Sequence, residues 1–578
     1  MGRSSVLTIT AVSCILFGSA AWQLNSHSSS AQAAQPQTQA QPAVATSAAA
    51  QSPQLQPVSA TISAATKPTT IPAQQPAAAP GTEIYTAKRG EAIPTIARRY
   101  LGKTSYLTSS QLADAIRAAN HKSDASNILK ANETIIIPGI LTAPITEKTI
   151  PVPRDFEVRA IYLTGVMAAS DHGLRIIRHW REVGGNAVVF DIKDSDGSVN
   201  IPFEHPLLGQ HQVYIHDVPK LVHFLHQQNM HAIARIAIFR DERMVVEHPD
   251  LAVHSRKTGQ PWRENGKLVW TDPSNPQVQD YNIALAKHVA QLGADEIQFD
   301  YVRFPAEGDQ KDAFFVFQKD QPAAPDASTA AVPVTDVIPT AAQSAGGGTL
   351  RQSPAQQQST GSPRTSKSAR HADAKPTTPQ RTDVITAFLK KAYAELHPTG
   401  VLLSLDVFGV MAWQRQVDLS HTGQDIVGMA HYCDVLSPMI YPSHFFGMDN
   451  IAHPGDEPAH FIGESMARFE LITHPDGNLA TGVVIRPWLQ AFRWRTKTYS
   501  PEYIKIQVET ARAKGGIGFL FWNAANDYSK PYEAMPEMKA ANFKPAPDSK
   551  DASKNNPRYF RGDELPTATI KASLVPGN

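Results

Sequence analysis

The chain has 578 residues, and its 54 lysines and arginines almost balance its 53 aspartates and glutamates, for a formal net charge of +1. This length exceeds one compact domain and predicts at least two. The balanced charge gives no electrostatic reason to expect nucleic acid or an acidic membrane surface as a partner. The only cysteines, Cys14 and Cys433, exclude a disulfide framework and a zinc–thiolate cluster.

The first segment, Met1 to Trp22, has the features of an export signal. Arg3 precedes an apolar run from Val6 to Phe17, and Ala31–Ala33 offers an A-x-A cleavage site. Residues 1–33 are therefore predicted to be a signal peptide. The alternative is an uncleaved N-terminal anchor, because the run is near the lower limit for a membrane-spanning helix. We expect an exported protein of the cell envelope, periplasm or extracellular space, with a membrane as partner only if this segment stays attached.

Three low-complexity stretches are predicted to be disordered. Residues 34–82 consist mainly of Ala, Gln, Pro, Thr and Ser; residues 309–380 include the run Gly346–Gly348; residues 546–578 form a C-terminal tail. Such compositions bury too little apolar surface to offset the entropy lost on folding. The ordered candidates lie between these stretches.

The first ordered candidate, residues 83–140, shows the order strand, helix, helix, strand. It contains a Gly90–Glu91 turn, a helix-like stretch ending Ile96–Tyr100, and a closing Ile137–Pro138. In these features it resembles a LysM module, a small α+β fold. The resemblance implies peptidoglycan or a chitin-like glycan as a partner, and an unrelated small α+β domain is the alternative.

The second ordered candidate, residues 156–308 and 381–543, contains eight strand-like runs. Most are rich in Val, Ile, Leu or Phe, which is typical of strands buried on both faces of a parallel sheet. The runs are Val158–Thr164, Ala187–Ile192, His231–Phe239, Glu296–Phe304, Val401–Phe408, Asp434–Tyr441, Gly482–Trp488 and Gly516–Trp522.

Amphipathic helices separate these runs. In one of them, apolar residues at i, i+3, i+4 and i+7 share a face: Val218, Leu221, Val222 and Leu225. Eight alternations of strand and helix predict an α/β fold of the (β/α)8, or TIM-barrel, class, with residues 309–380 as an insertion after strand four. A doubly wound open sheet is the alternative. The first strand-to-helix turn lacks G-x-G-x-x-G, so no dinucleotide site is predicted.

Acidic residues stand at the ends of the predicted strands, where barrels of this class carry their functional sites. Cleavage of a glycosidic bond uses two carboxyl groups, one to protonate the leaving oxygen and one to attack the sugar or activate water. Asp300 and Asp406, on strands four and five, are predicted as this catalytic pair. Two alternatives remain: Asp300 forms a structural ion pair with Arg303, and Asp406 only orients another residue.

Other residues at the same strand ends are predicted to bind substrate. Aromatic rings offer flat apolar surfaces to sugars, and Arg and Gln side chains suit hydroxyl groups. The predicted binding residues are Asp191, Asp194, Arg240, Arg303, Tyr441, Trp488, Gln490 and Trp522. Trp488 and Trp522 fit barrel packing equally well. No H-x-H or H-E-x-x-H spacing falls on a predicted strand or helix, so neither a metal nor another cofactor is predicted.

Four segments carry a wider resemblance: Phe156–Thr164, Val189–Asp194, Gln298–Pro305 and Ser437–Pro442. Together they resemble a family of secreted bacterial proteins with a putative glycosyl hydrolase domain, distantly similar to α-amylase-like barrels. The resemblance implies a TIM barrel and a polysaccharide substrate. In the amylase-like enzymes the nucleophile is an Asp after strand four, which corresponds to Asp300. The acid there is a Glu after strand five, where this chain has Asp406.

Two functions are consistent with this sequence. The first is a glycoside hydrolase that cleaves a cell-envelope or extracellular polysaccharide, held at the wall by the LysM-like module, which raises the local substrate concentration. The second is a non-catalytic glycan-binding envelope protein with a degenerate barrel. A carbohydrate deacetylase fits less well because the sequence shows no metal-ligand set. A carboxyl separation of about 5–5.5 Å would indicate retention, and about 6.5–9.5 Å inversion.

Overall fold

The computed structural model describes residues 79–123, 127–319, 379–474 and 482–540. The predicted signal segment and most of the three predicted linkers lie outside these ranges. In the described ranges, no helix has the length and apolar character needed to cross a membrane.

A small α+β unit precedes the barrel and has the predicted order of elements. These are β1 (Thr82–Thr86), α1 (Ile93–Tyr100), α2 (Ser109–Ala119) and β2 (Thr134–Pro138). The two strands pair antiparallel, and one face of each helix packs against them. The buried core includes Ile93, Ile96, Leu112, Ile116, Ile135 and Ile137.

Eight parallel strands and their helices form the large body. The barrel strands are β3 (Arg159–Leu163), β4 (Ala187–Lys193), β5 (His231–Ala237), β9 (Glu296–Asp300), β11 (Leu402–Phe408), β12 (Val435–Ile440), β13 (Val484–Ile485) with β14 (Trp488–Gln490), and β15 (Phe519–Trp522). Four short strands form two small sheets outside the barrel: β6 (His254–Ser255) with β10 (Ala313–Phe314), and β7 (Arg263–Glu264) with β8 (Leu268–Val269).

The helices follow the strands in sequence, as a TIM barrel requires. They are α3 (Gly165–Ala168), α4 (Asp171–Val183), α5 (Val218–Gln227), α6 (Glu242–Glu247), α7 (Pro276–Gln291), α8 (Arg381–Leu396), α9 (Gln416–Thr422), α10 (Ile426–Ala430), α11 (Pro458–Thr473), α12 (Pro501–Ala513) and α13 (Ser529–Ala540). Short 3-10 turns are Leu101–Lys103, Pro249–Leu251, Val316–Gln318, His397–Thr399, Gly409–Trp413, Pro442–His444 and Pro454–Asp456.

The sheet closes on itself. The last strand, β15, pairs with the first barrel strand, β3, and every barrel pairing is parallel. An open doubly wound sheet would leave β3 and β15 unpaired with each other, so that alternative is excluded. The predicted (β/α)8 barrel is confirmed.

The alternation of side chains along each strand produces two cores. Outward-facing residues pack against the helices in the main cluster, and inward-facing residues fill the barrel. On β9, Ile297 and Phe299 belong to the outer core, whereas Glu296, Gln298 and Asp300 alternate with them. Strand β9 therefore directs three polar side chains into the barrel, at three successive levels.

Two strands differ from the prediction for backbone reasons. The fourth strand was predicted to reach Phe304 but ends at Asp300, because Tyr301 has φ of 54°, the left-handed region, which turns the chain out of the sheet. The seventh strand is split into β13 and β14 by Arg486 and Pro487, and proline has no N–H to donate to a ladder.

The predicted disordered insertion begins too early. Residues 309–319 pack on the barrel: Ala313 and Phe314 pair with β6, and Phe315 is fully buried against Phe304. The prediction of disorder from residue 309 was wrong, because the apolar run of residues 313–317 supplies enough surface to fold. Residues 320–378 lie outside the described ranges.

The connection between the two units crosses the N-terminal end of the barrel. The N–H of Ile150 donates to Oδ1 of Asp295 at 2.7 Å, and Thr149 donates to the carbonyl of Ala294 at 2.7 Å. Earlier in this connection, Oε2 of Glu147 lies 2.7 Å from Nδ1 of His223 on α5. The connection therefore covers the end of the barrel opposite the predicted site.

Candidate functional site

Arg235, on β5, lies at the centre of the site. Its Nη1 donates to Oδ1 of Asp191 at 2.5 Å, and its Nη2 and Nε donate to Oδ2 of Asp300 at 2.6 and 3.2 Å. Nε also lies 4.0 Å from Oδ2 of Asp406. Three acids from three different strands thus surround one guanidinium. We call Asp191, Asp300 and Asp406 the carboxyl cluster.

Asp300 is the member of the carboxyl cluster most open to the barrel mouth. It is 7% exposed, compared with 2% for Asp406 and 0% for Asp191. Its Oδ1 accepts the backbone N–H of Tyr301 at 2.6 Å, and its Oδ2 accepts both donors from Arg235. The left-handed turn at Tyr301 therefore holds the carboxyl group in place as well as ending β9.

Asp406 lies deeper and is held through one oxygen. Nε1 of Trp488 donates to its Oδ1 at 2.6 Å, and Nε2 of Gln298 donates to the same oxygen at 2.9 Å. Burial, and after it the charge of Asp300, raise the pKa of Asp406 well above its usual range. This rise shifts Asp406 toward its protonated form, and Oδ2, which does not receive these two donors, is the oxygen that can carry the proton.

Asp191 links the cluster to the first barrel strand. Its Oδ2 accepts a hydrogen bond from the hydroxyl of Tyr162, and its Oδ1 accepts from Arg235. Burial raises the pKa of Asp191 to about 7; the charge of Arg235 opposes the rise and that of Asp194 adds to it. Asp191 therefore titrates near neutral pH while fully enclosed.

Four predicted substrate-binding residues are buried and contact other parts of the barrel, and their role in substrate binding stays a prediction. Asp191 holds Arg235, and Trp488 holds Asp406. Gln490 accepts from the N–H of Ser443 and donates to the carbonyl of Phe492, so its amide serves the backbone. Arg303 does not pair with Asp300: its guanidinium is sandwiched between the rings of Trp270 and Phe408, at 4.5 and 4.4 Å, because the turn after Asp300 redirects it.

The other four predicted binding residues lie half-buried at the rim. Tyr441 and Trp522 have ring centroids 5.8 Å apart, with their planes tilted by 32°. Nη1 of Arg240 donates to the hydroxyl of Tyr301 at 2.9 Å, and Asp194 accepts the N–H of the following residue in the loop after β4. Their positions suit substrate contact, and that role stays a prediction.

Three polar residues of the site were missed from the sequence: Arg235, Tyr162 and Gln298. Each stands in an apolar strand run, where an unpaired polar group is costly to bury. The position of Arg235 within the strand run His231–Ala237 could have indicated the site. A guanidinium buried in a strand needs carboxylates on neighbouring strands as partners. No cluster of three or more His, Cys, Asp or Glu side chains suited to a metal occurs in the part of the chain that the structure describes.

Comparisons with known proteins bear on the barrel. A family model described as a putative glycosyl hydrolase domain matches residues 160–528. A search of curated proteins found no match. Among solved structures, a hypothetical protein from Ruminiclostridium thermocellum is 28% identical, with a TM-score of 0.30, over 43% of this chain and 97% of that one.

Two further solved structures are more distant in sequence. The PgaB (BpsB) glycoside hydrolase domain from Bordetella bronchiseptica is 12% identical, with a TM-score of 0.42, over 66% of this chain and 99% of that one. The spore cortex-lytic enzyme SleL from Bacillus megaterium is 12% identical, with a TM-score of 0.32, over 78% and 85%. We draw no functional conclusion from these structures because the TM-scores are low.

Proposed function

Because the chain belongs to the family of putative glycosyl hydrolase domains, matched over residues 160–528, we propose that it hydrolyses glycosidic bonds with Asp300 and Asp406 as its two working carboxyl groups. The observation that carries the proposal is that both side chains approach Nε of Arg235, at 3.2 and 4.0 Å. Two carboxyl groups at one mouth are what this reaction requires.

The two acids have different environments, which suits different roles. Asp300 faces the mouth in an ion pair with Arg235 and attacks the anomeric carbon or activates water. Asp406, whose pKa is raised by burial and by Asp300, supplies the proton to the leaving oxygen. Arg235 fixes the position of Asp300 through two hydrogen bonds.

One observation favours a second candidate, a glycan-binding protein without turnover. Arg235 already occupies the space between the acids and forms ion pairs with Asp191 and Asp300, at 2.5 and 2.6 Å. A carboxylate saturated by an arginine is a weaker nucleophile than a free one. The same geometry would hold an inert barrel together.

The substrate proposed here is a polysaccharide of the cell envelope or the extracellular matrix. Residues 83–140 are proposed to bind peptidoglycan or a chitin-like glycan, supported by their strand, helix, helix, strand order. Residues 1–33 are proposed to export the protein or anchor it. Co-sedimentation of the full chain with insoluble peptidoglycan or chitin, compared with a chain starting at residue 141, tests the module.

The hydrolase proposal is tested with Asp300→Asn. The full chain is incubated with purified wall glycans and exopolysaccharides, and new reducing ends are counted by labelling and mass spectrometry. We expect Asp300→Asn to lower turnover by about 10³-fold or more, because removal of a single catalytic group commonly has this effect. For a cleaved substrate, NMR of the first-formed anomer assigns retention or inversion.

The matched control is Asp196→Asn, which removes an exposed acid from the same face of the barrel. Its turnover should equal that of the unchanged protein. If Asp300→Asn is as active as Asp196→Asn, Asp300 has no role in the reaction. If no glycan is cleaved but glycans bind to the unchanged protein, the second candidate is correct.

A further inference from the structure

A continuous line of half-buried rings leaves the barrel mouth along the loops after β12 and β14. Trp522 and Tyr441 lie at its inner end, with ring centroids 5.8 Å apart. Farther out, His444 lies 4.7 Å from Trp494, which lies 5.7 Å from Phe446. We call this line the aromatic strip; its members are Tyr441, His444, Phe446, Phe492, Trp494 and Trp522.

The aromatic strip starts at the carboxyl cluster. Burial, and after it the charges of Asp406 and Asp300, raise the pKa of Tyr441, so its hydroxyl lies within the field of both acids. Phe492 contacts Trp522 and Tyr441 at 5.3 and 5.7 Å and extends the line outward. A contiguous set of partly exposed rings beside a polar site is typical of a binding surface.

An arginine without an acidic partner lies at the outer end of the strip. The Arg495 guanidinium is 4.1 Å from the ring centroid of Phe446 and 4.9 Å from that of Trp494. Among the residues that the structure describes, no acidic side chain forms an ion pair with it. Stacking fixes the plane of the guanidinium while its N–H groups stay available, because Arg495 is exposed.

Two other cationic residues lie beside Arg495, and the nearby acid, Asp456, accepts the backbone N–H of Lys497 at 2.6 Å. Arg493 and Lys497 are exposed on the same loop. Burial, and after it the charge of Arg495, lower the pKa of His444 to about 4, so Arg495 is close enough to act on a ring of the strip. These cations can donate hydrogen bonds to the hydroxyl groups of a neutral glycan, but they form stronger, charge-assisted hydrogen bonds with the carboxylates of an acidic one.

We propose that the aromatic strip is an extended subsite for a carboxylate-bearing glycan chain, with sugar rings stacked along it and a carboxylate of the chain paired with Arg495. This inference rests on the proposed function, since it extends the same site. A chain held along the strip passes the carboxyl cluster at Tyr441 and Trp522, so the substrate must span several sugar units.

Binding is measured on the full chain carrying Asp300→Asn, so that turnover does not consume the ligand. The probes are polygalacturonate and its methyl ester, which share a backbone and differ in charge, and alginate as a second polyuronate. Affinity gel electrophoresis should show polyuronate binding about tenfold tighter than ester binding, a difference that added salt reduces. Arg495→Gln should remove that difference, and Phe492→Ala should weaken binding to acid and ester alike.

Arg178→Gln is the matched control. Arg178 is also exposed and also lies over a ring, that of Phe224 at 5.2 Å, but it is on α4, away from the strip. Its affinity for both polymers should be unchanged. The inference is overturned if neither polyuronate binds, if acid and ester bind equally, or if Arg495→Gln behaves like Arg178→Gln.

The outcome also separates this inference from the proposed function. Cleavage of neutral glycans with no preference for acidic ones would remove the strip's proposed ligand and leave the hydrolase intact. Arg495-dependent binding of polyuronate without cleavage of any glycan would support the strip and reject the hydrolase. Circular dichroism of each variant confirms that it folds.

Discussion

His226 lies between two acids at the end of the barrel opposite the carboxyl cluster. Its Nε2 is 3.0 Å from Oδ2 of Asp295, and its Nδ1 is 3.3 Å from Oε1 of Glu147; its side chain is almost fully buried. Burial opposes a charge on the ring, but Asp295 and then Glu147 outweigh it and raise the pKa of His226 to about 9. We therefore predict that this ring contributes charge-dependent stability.

The magnitude follows from the pKa change. A rise from 6.5 to about 9 corresponds to about 3 kcal/mol of stabilisation from this group. Because the folded pKa lies above the unfolded one, the contribution is fully present below pH 6.5 and is lost as the pH rises through about 9. His226→Gln, which keeps a polar side chain without the charge, should be less stable by about 3 kcal/mol at pH 6 and by little at pH 10.

Urea unfolding at pH 6, 8 and 10, followed by tryptophan fluorescence, measures this difference. The control is His460→Gln, which removes a half-exposed pair with Asp449 and should cost less than about 1 kcal/mol. A penalty for His226→Gln that stays constant from pH 6 to pH 10 would refute the reasoning. Such a result would mean that packing of the ring, rather than its charge, stabilises the fold.

Three further predictions concern the carboxyl cluster. Trp488→Phe keeps a buried ring but removes the donor to Asp406, so the pKa of Asp406 should rise further, and the alkaline limb of the pH–rate profile should move up by about one unit. Tyr162→Phe removes the donor to Asp191 and should raise the pKa of Asp191 above about 7, which NMR titration of its carboxyl carbon can follow. Arg235→Met leaves the acids without a counter-charge and should lower stability at pH 7 by about 3–5 kcal/mol. The loss should be smaller at pH 4, because the raised pKa values of Asp191 and Asp406 favour their neutral forms there; urea unfolding at both pH values checks this.

The barrel could be predicted because its strands are buried on both faces. Such strands have long apolar runs, and eight of them separated by amphipathic helices leave few other topologies. The end of β9 could not be predicted, since it depends on a left-handed φ at Tyr301, and a tyrosine gives no sequence signal for that conformation. The packing of residues 313–317 could have been predicted from the apolar run that begins at Ala313. It was overlooked because a low-complexity stretch follows directly.

The candidate site could be predicted only in part. Position at a strand end placed Asp300 and Asp406 at the same mouth, and the structure brings both to Arg235. The burial of individual side chains at the strand ends could not be predicted. Trp488 also lies near a strand end, yet it donates a hydrogen bond to Asp406. Arg303 lies near another, yet its guanidinium packs against two aromatic rings. Sequence position predicts the level of a side chain in the barrel, but it does not predict how far neighbouring side chains cover it.

Buried acidic residues at the two ends of the barrel have pKa values shifted in opposite directions. Glu296 and Asp300 lie on the same strand four residues apart, and both are enclosed. At the lower level, burial opposes ionisation, but Arg486 and His231 outweigh it and lower the pKa of Glu296 to about 2, which is the state of a fully paired structural acid. At the upper level, burial prevails and raises the pKa of Asp406. A buried acid with a raised pKa beside a second, slightly more exposed acid is typical of a functional site, so the upper level is where function is expected.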